Sequence, residues 1–118
     1  MSGECIFCKI VDGLIAVPKV YEDDSFICIR DIQPQAKVHL LVIPKKHLNS
    51  LESAFPEQGE GHVELMGRLF AVATVVARKE GLILGGFRSI INTGKESGQT
   101  IFHIHLHLLG GETLGALC

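Results

Sequence analysis

The sequence carries no excess of basic residues: eleven Lys and Arg against thirteen Asp and Glu leave a formal net charge of −2. That balance argues against a nucleic-acid binder working through bulk electrostatics, while leaving room for a small nucleotide pocket. No apolar run reaches the ~20 residues needed to span a bilayer, the longest being broken by His, Pro or Gly. The opening Met-Ser-Gly-Glu-Cys-Ile-Phe-Cys-Lys lacks the basic segment and apolar stretch of a secretory signal. A cytoplasmic protein is therefore expected, with neither membrane nor nucleic acid among its partners. Repeats, low-complexity tracts and linkers are missing as well, and Trp is absent. What remains is a single domain over residues 1–118. At 47% hydrophobic the chain can fill one core, but it is too short for two ordinary domains and too apolar for disorder.

Against this background two residue types stand out. Six residues are His, three of them within five positions. Four are Cys, at positions 5, 8, 28 and 118. Without a signal sequence, two disulfides are a weak reading. Cys28, inside Ser-Phe-Ile-Cys-Ile-Arg, reads as a buried thiol acting as a small hydrophobe, and Cys118 takes no role. Cys5 and Cys8 form a Cys-x-x-Cys, which fits a redox pair, half of a metal site or coincidence. Spacing alone does not choose among these.

Periodicity gives a coarse order of elements. A short helix is expected over 4–12, with Ile6, Phe7, Ile10 and Val11 at helical spacing and Gly13 to stop it. Strands follow at Lys19–Tyr21 and Ser25–Asp31, joined by the turn Glu22-Asp23-Asp24. The apolar run His39–Ile43 reads as a central strand ended by Pro44. Residues 45–61 look irregular, with one helical turn near Leu51. The clearest helix covers 62–80, and its apolar face spans about half the circumference against the roughly 100° of an ordinary surface helix. A face that wide suits its own sheet, a second subunit, or both. Gly86–Asn92 and Ile101–Leu109 read as strands around a glycine-bearing polar loop, Thr93–Gln99. The order suggests an α+β fold: an antiparallel five-stranded sheet, one long helix and a short N-terminal helix.

The last strand carries the chemistry. Along Phe102–Leu109 apolar residues alternate with His103, His105 and His107, so a strand should send the apolar set inward and line the histidines along the other face, about 7 Å apart. A wet face would be served equally well by Ser, Thr or Lys. Two functional readings compete: a metal site of neutral imidazoles, and nucleophilic and acid–base chemistry on a phosphoryl group. The loop just upstream, with Gly94, Gly98, Gln99 and Thr100, offers backbone N–H groups and a hydroxyl, which suits a phosphate.

His103-Ile104-His105-Leu106-His107-Leu108-Leu109 resembles the signature of the histidine triad family at every position. The likeness extends over nearly the whole chain, through Cys-Ile-Phe-Cys-Lys-Ile, Arg30-Asp31-Ile32-Gln33-Pro34-Gln35-Ala36, His39, Val42-Ile43-Pro44-Lys45-Lys46-His47, Asn92 and Gly98-Gln99-Thr100. The ending Leu109-Gly110-Gly111 is similar to the Hint branch, the nucleoside phosphoramidases. The resemblance implies a homodimer through the helix at 62–80 that binds a purine nucleoside monophosphate or phosphoramidate and hydrolyses a phosphorus–nitrogen bond. His105 matches the nucleophile, forming a nucleotidyl-histidine that water then releases. His107 matches the phosphate-bonding histidine, with His103 and His39 in support. Asp31 corresponds to the ribose-binding carboxylate, with Ile32 beside it. Asn92, Gly98, Gln99 and Thr100 correspond to the phosphate loop, and Phe7, Ile10, Ile15 and Ile29 to the base pocket.

Some members of the family hold a structural zinc on a Cys-x-x-Cys, a later His and the first triad His. Cys5, Cys8, His47 and His103 fill all four places, a complete tetrahedral set. No organic cofactor is implied. Thr100 stands where the branch usually has Ser, which keeps the hydroxyl. The tail lacks the Trp-Pro-Pro-Gly of many eukaryotic relatives, which bears on the leaving group. The rival readings are a dinucleoside polyphosphate hydrolase and a non-enzymatic, zinc-bearing nucleotide-binding module. His62 belongs to no motif and is expected at the solvated start of the long helix.

Overall fold

The computed structural model describes residues 4–116, so Cys118 lies outside it. The elements are α1 (Ile6–Val11), β1 (Tyr21–Glu22), β2 (Phe26–Arg30), β3 (Val38–Pro44), α2 (Leu51–Ala54), α3 (Val63–Lys79), β4 (Phe87–Ile90) and β5 (Leu106–Gly110). A single 3₁₀ turn, Lys95–Ser97, lies between β4 and β5. The strands form one antiparallel sheet in the order β1-β2-β3-β5-β4, the expected α+β architecture with β3 at its centre.

Alternation along the strands builds two cores, one on each face of the sheet. Phe26, Cys28, Leu40, Val42, Leu106 and Leu108 pack against Met66, Leu69, Ala73 and Val76 of α3. The intervening Ile27, Ile29, Leu41 and Ile43 pack against Phe7 and Ile10 of α1, with Ile15, Val17 and Ile101 at the edge. Central β3 is buried on both faces, hence its unbroken apolar run. Truncating a fully buried residue such as Leu106 to Ala costs about 3–5 kcal/mol, because the cavity left behind cannot fully collapse. Cys28 is an inert part of this packing; burial pushes its thiol up to about 12. No helix among the described residues is long and apolar enough to cross a membrane.

Several boundaries differ from expectation. The first strand is Tyr21–Glu22 rather than Lys19–Tyr21, and β3 is longer than expected and includes Pro44, while β2 and α3 are each one residue shorter at both ends. The turn after β1 is Asp23-Asp24-Ser25, because Asp23 Oδ1 accepts the backbone N–H groups of both Ser25 and Phe26 at 2.8 Å. The helix α3 ends where Gly81 takes φ 76°, with Leu82 N–H donating back to the Ala77 carbonyl. His62 is half-buried at the N-cap position, its N–H given to the Ala54 carbonyl.

The expected strand over 101–109 is corrected in its first half. Pairing starts only at Leu106, so His103 and His105 precede β5 and only His107 lies on it. Ile104, Leu106 and Leu108 are buried as expected, but Phe102 is 48% exposed and His103 is wholly buried. The reason is that residues 101–105 outrun their sheet neighbours: β4 ends at Ile90, and the ladder to β3 ends at Val42. This stretch is held instead by Pro44–Asn49, beginning with Ile104 N–H on the Leu48 carbonyl at 2.8 Å.

Candidate active site and metal centre

Register brings Asp31, His39 and His107 together from three neighbouring strands. His39 lies opposite Leu109, which makes His107 its diagonal neighbour on the α1 side of the sheet. Asp31 extends β2 opposite His39, with its N–H on the His39 carbonyl at 3.0 Å. As a result His39 Nε2 lies 2.9 Å from His107 Nδ1 and 3.4 Å from Asp31 Oδ2.

The hydrogen bonds fix which nitrogen of each ring carries its proton. The Gln35 N–H donates to His39 Nδ1 at 3.0 Å, so a neutral His39 is protonated on Nε2 and donates to His107 Nδ1. His107 is thereby an Nε2–H donor. His105 Nδ1–H donates to the His103 carbonyl at 2.8 Å, which leaves His105 Nε2 as a lone pair. Burial lowers the pKa of His39, His103, His105 and His107. His107 is taken furthest, to about 4, because burial is reinforced by the neighbouring His105 and His39, with Asp31 opposing. At neutral pH the site therefore offers one uncharged nucleophilic nitrogen beside one uncharged N–H donor.

Both rings open onto a cleft of about 560 Å³. Phe7, Ile10, Ile15 and Ile29 line its apolar end, and Phe7 meets the His105 ring edge-on at 5.0 Å between centroids. Asp31, Ile32, Asn92, Gly98, Gln99 and Thr100 line it as well. His39 lies behind His107, and His103 is buried with its Nδ1 towards Cys5 and Cys8. Asn92 donates to the Ser97 carbonyl, while the Gln99 side chain is held by backbone groups. A wider depression of about 700 Å³ between Gly81–Arg88 and Gly111–Leu114 is lined by neither His nor Cys among the described residues.

Cys5, Cys8, His47 and His103 converge on the far side of the His103 ring, each offering a ligand atom within 4.8 Å of all the others. His103 Nδ1 lies 3.3 Å from Cys5 Sγ and 3.5 Å from Cys8 Sγ, and His47 Nδ1 lies 3.2 Å from Cys8 Sγ. A tetrahedral zinc with bonds of about 2.3 Å to sulfur and 2.0–2.1 Å to nitrogen has ligand–ligand edges of about 3.4–3.8 Å, so the set nearly fits as it stands. The rings are also prepared for a metal. His103 gives Nε2–H to the Pro44 carbonyl at 2.7 Å, and His47 gives Nε2–H to Asn49 Oδ1 at 2.9 Å. Each therefore turns an Nδ1 lone pair towards the thiols, with an oxygen behind it fixing the tautomer.

Residues 4–116 match the family model described as scavenger mRNA decapping enzyme C-term binding. The chain is 40% identical over 117 residues to the purine nucleoside phosphoramidase of Escherichia coli K12, covering 99% of this chain and 95% of that protein. Protein HitA of Neisseria gonorrhoeae is 45% identical over 106 residues, 90% of this chain and 94% of its own. The chain belongs to the histidine triad family. A histidine triad protein from Clostridium difficile superposes with a TM-score of 0.89 at 38% identity, covering 98% of this chain and 96% of that one. A HIT family hydrolase from Legionella pneumophila gives 0.86 at 40% identity, with 95% and 96% covered.

Several members of this histidine triad site escape sequence reasoning. The Gln35 N–H and the carbonyls of Pro44, Leu48 and Asn49 are backbone groups, and every residue but Pro carries the same pair. Val17 and Leu41 also line the cleft. Leu41 could have been found from register, since it lies directly opposite His107.

Proposed function

We propose that this histidine triad protein hydrolyses purine nucleoside phosphoramidates, releasing a nucleoside 5'-monophosphate and an amine. The observation that carries the reading is the tautomer of His105: with Nδ1–H held by the His103 carbonyl, Nε2 is a neutral lone pair in the cleft. His105 Nε2 attacks the α-phosphorus and the phosphorus–nitrogen bond breaks. The amine leaves with a proton, and a nucleotidyl-imidazolium remains, itself a good leaving group for attack by water. His107 donates Nε2–H to a phosphate oxygen. A bound phosphate raises its proton affinity, so the ring takes up a proton from solvent as an imidazolium and passes that proton to the departing nitrogen, returning to the neutral form. Asp31 accepts from the ribose hydroxyls, Thr100 and the Asn92–Thr100 loop hold the phosphate, and Phe7, Ile10, Ile15 and Ile29 enclose the base.

Replacement of His105 by Asn, assayed for release of adenosine monophosphate from an adenosine phosphoramidate, tests this reading. Turnover should fall by at least about a thousandfold, with no nucleotidylated protein trapped on rapid quenching. Unchanged turnover would remove His105 as nucleophile. Faster cleavage of a dinucleoside polyphosphate would assign the protein to that chemistry instead, and tight nucleotide binding without cleavage would make it a binding module.

We also assign zinc to Cys5, Cys8, His47 and His103. A thiolate-bearing set of this kind holds zinc as a closed structural site, tying α1 to the segment after β3 and to the start of the triad. A reducing cytoplasm keeps such thiols available. The second copy in the proposed homodimer docks on α3, where Val63, Phe70 and Val75 remain about half exposed.

A further inference from the structure

We infer that Gln99 is a positioning residue: its side chain shapes the phosphate loop and fastens it to the segment after β3, without itself contacting the ligand. The inference rests on the proposed role of this loop in phosphate binding. Gln99 is one of three polar residues among the described ones that are buried, the others being His39 and His103. Its carboxamide is fully occupied by backbone. Oε1 accepts the Gly94 N–H at 2.7 Å, while Nε2 donates to the Asn49 carbonyl at 2.8 Å and to the Ile101 carbonyl at 3.1 Å. One N–H and two carbonyls surround it, so only this orientation of the amide satisfies all three.

These bonds have a particular geometry of consequence. The bond to Gly94 closes the loop on itself across the 3₁₀ turn, where Gly94 and Gly98 take φ 83° and 92°. The bond to Asn49 ties the closed loop to the segment 44–49. That same segment accepts from His103 at Pro44, accepts from Ile104 at Leu48, and carries His47 with its partner Asn49. Phosphate loop, nucleophile and thiol–imidazole cluster are therefore referenced to six consecutive residues, and Gln99 supplies the loop's share of that reference. Both amide hydrogens are given to carbonyls, so a phosphate would have to displace one to reach them.

The test compares wild type with Gln99→Met, close in size but without donors or acceptor, and Gln99→Glu, which keeps the acceptor and loses the donors. Three quantities are read on the zinc-loaded protein: hydrogen exchange at the Gly94 amide, the Kd for adenosine monophosphate, and zinc content. In Gln99→Met, Gly94 exchange should accelerate and adenosine monophosphate binding should weaken, each by about tenfold or more, with zinc content unchanged. Gln99→Glu keeps the acceptor for Gly94 but sets its second oxygen against the Asn49 and Ile101 carbonyls, so it should weaken binding at least as much as Met, and it supplies the comparison if the Met variant does not fold. Weaker binding with Gly94 protection intact would overturn the inference by making Gln99 a ligand contact. Lost protection with unchanged affinity would overturn it too, since the loop would then need no shaping. Failure of wild type to bind adenosine monophosphate would instead refute the functional reading on which the ligand half rests, and the exchange measurement would still decide whether Gln99 holds the loop.

Discussion

Replacing His39 by Phe should cripple the site, and replacing it by Gln should largely spare it. His39 is buried and passes hydrogen-bond polarity in one direction, accepting at Nδ1 from Gln35 and donating at Nε2 to His107. A Phe ring fills much the same space but removes both functions. The loss at Gln35 is small, because that residue is exposed and its N–H can turn to water. His107 has no such recourse: Nδ1 faces the substituted ring, and an acceptor left unmade there costs about 1–3 kcal/mol. At 1.36 kcal/mol per decade, kcat/KM should drop about 5- to 150-fold. Gln can accept from Gln35 through Oε1 and donate to His107 through Nε2, so its variant should stay within about fivefold of wild type. The assay is kcat/KM on an adenosine phosphoramidate, with nitrogen NMR to read the His107 tautomer and circular dichroism to confirm folding. Equal impairment of the two variants, or a Phe variant at the wild-type rate, would refute the relay.

Native mass spectrometry of protein from a metal-replete preparation should find one zinc per chain, and Cys8→Ser should lose it with a fall in Tm; zinc-free wild type would refute the assignment. Stability should decline on acidification: the His39, His105 and His107 pKa values lie below 6.5, so the unfolded chain takes up protons first. Their contribution is fully present above pH ~6.5 and is lost as pH falls towards about 4, where His107 titrates. Discounted for partial exposure, the His107 share is about 1–2 kcal/mol, readable in urea titrations between those pH values; a flat profile would contradict it. Phe70→Glu should convert a sedimenting dimer to monomer without abolishing the fold, and an unchanged sedimentation coefficient would exclude α3 as the interface.

How much of this was legible in the sequence depended on whether side chains or backbone carried the information. Continuous apolar runs within Ser25–Asp31 and His39–Ile43 marked two strands without telling which face each side chain takes, and the wide apolar stripe marked α3. The triad positions and the Cys-x-x-Cys were legible because side chains of rare type recurred at fixed spacing. Alternation could not reveal where pairing stops. His103 and His105 keep the spacing of a strand but lie beyond the ladder, so His103 is buried among carbonyls and thiols rather than aligned on a wet face. Phe7, Ile10 and Ile29 are buried core as well as cleft wall, with Ile15 half-buried beside them, because the α1 layer covers only part of the sheet.

The hydrogen-bonded line that reaches His107 starts at a peptide N–H, a group with no pKa accessible in water. A side-chain donor in that place could gain or lose a proton and reverse the line, whereas Gln35 cannot. While the imidazoles are neutral, the polarity presented to the cleft is therefore a property of how the loop after β2 is bent. It also makes position 35 unusually permissive, since its own side chain reaches only the Gln33 carbonyl on the surface. Any residue that preserves the bend should serve there, with Pro, which has no N–H to give, the one exclusion by chemistry alone.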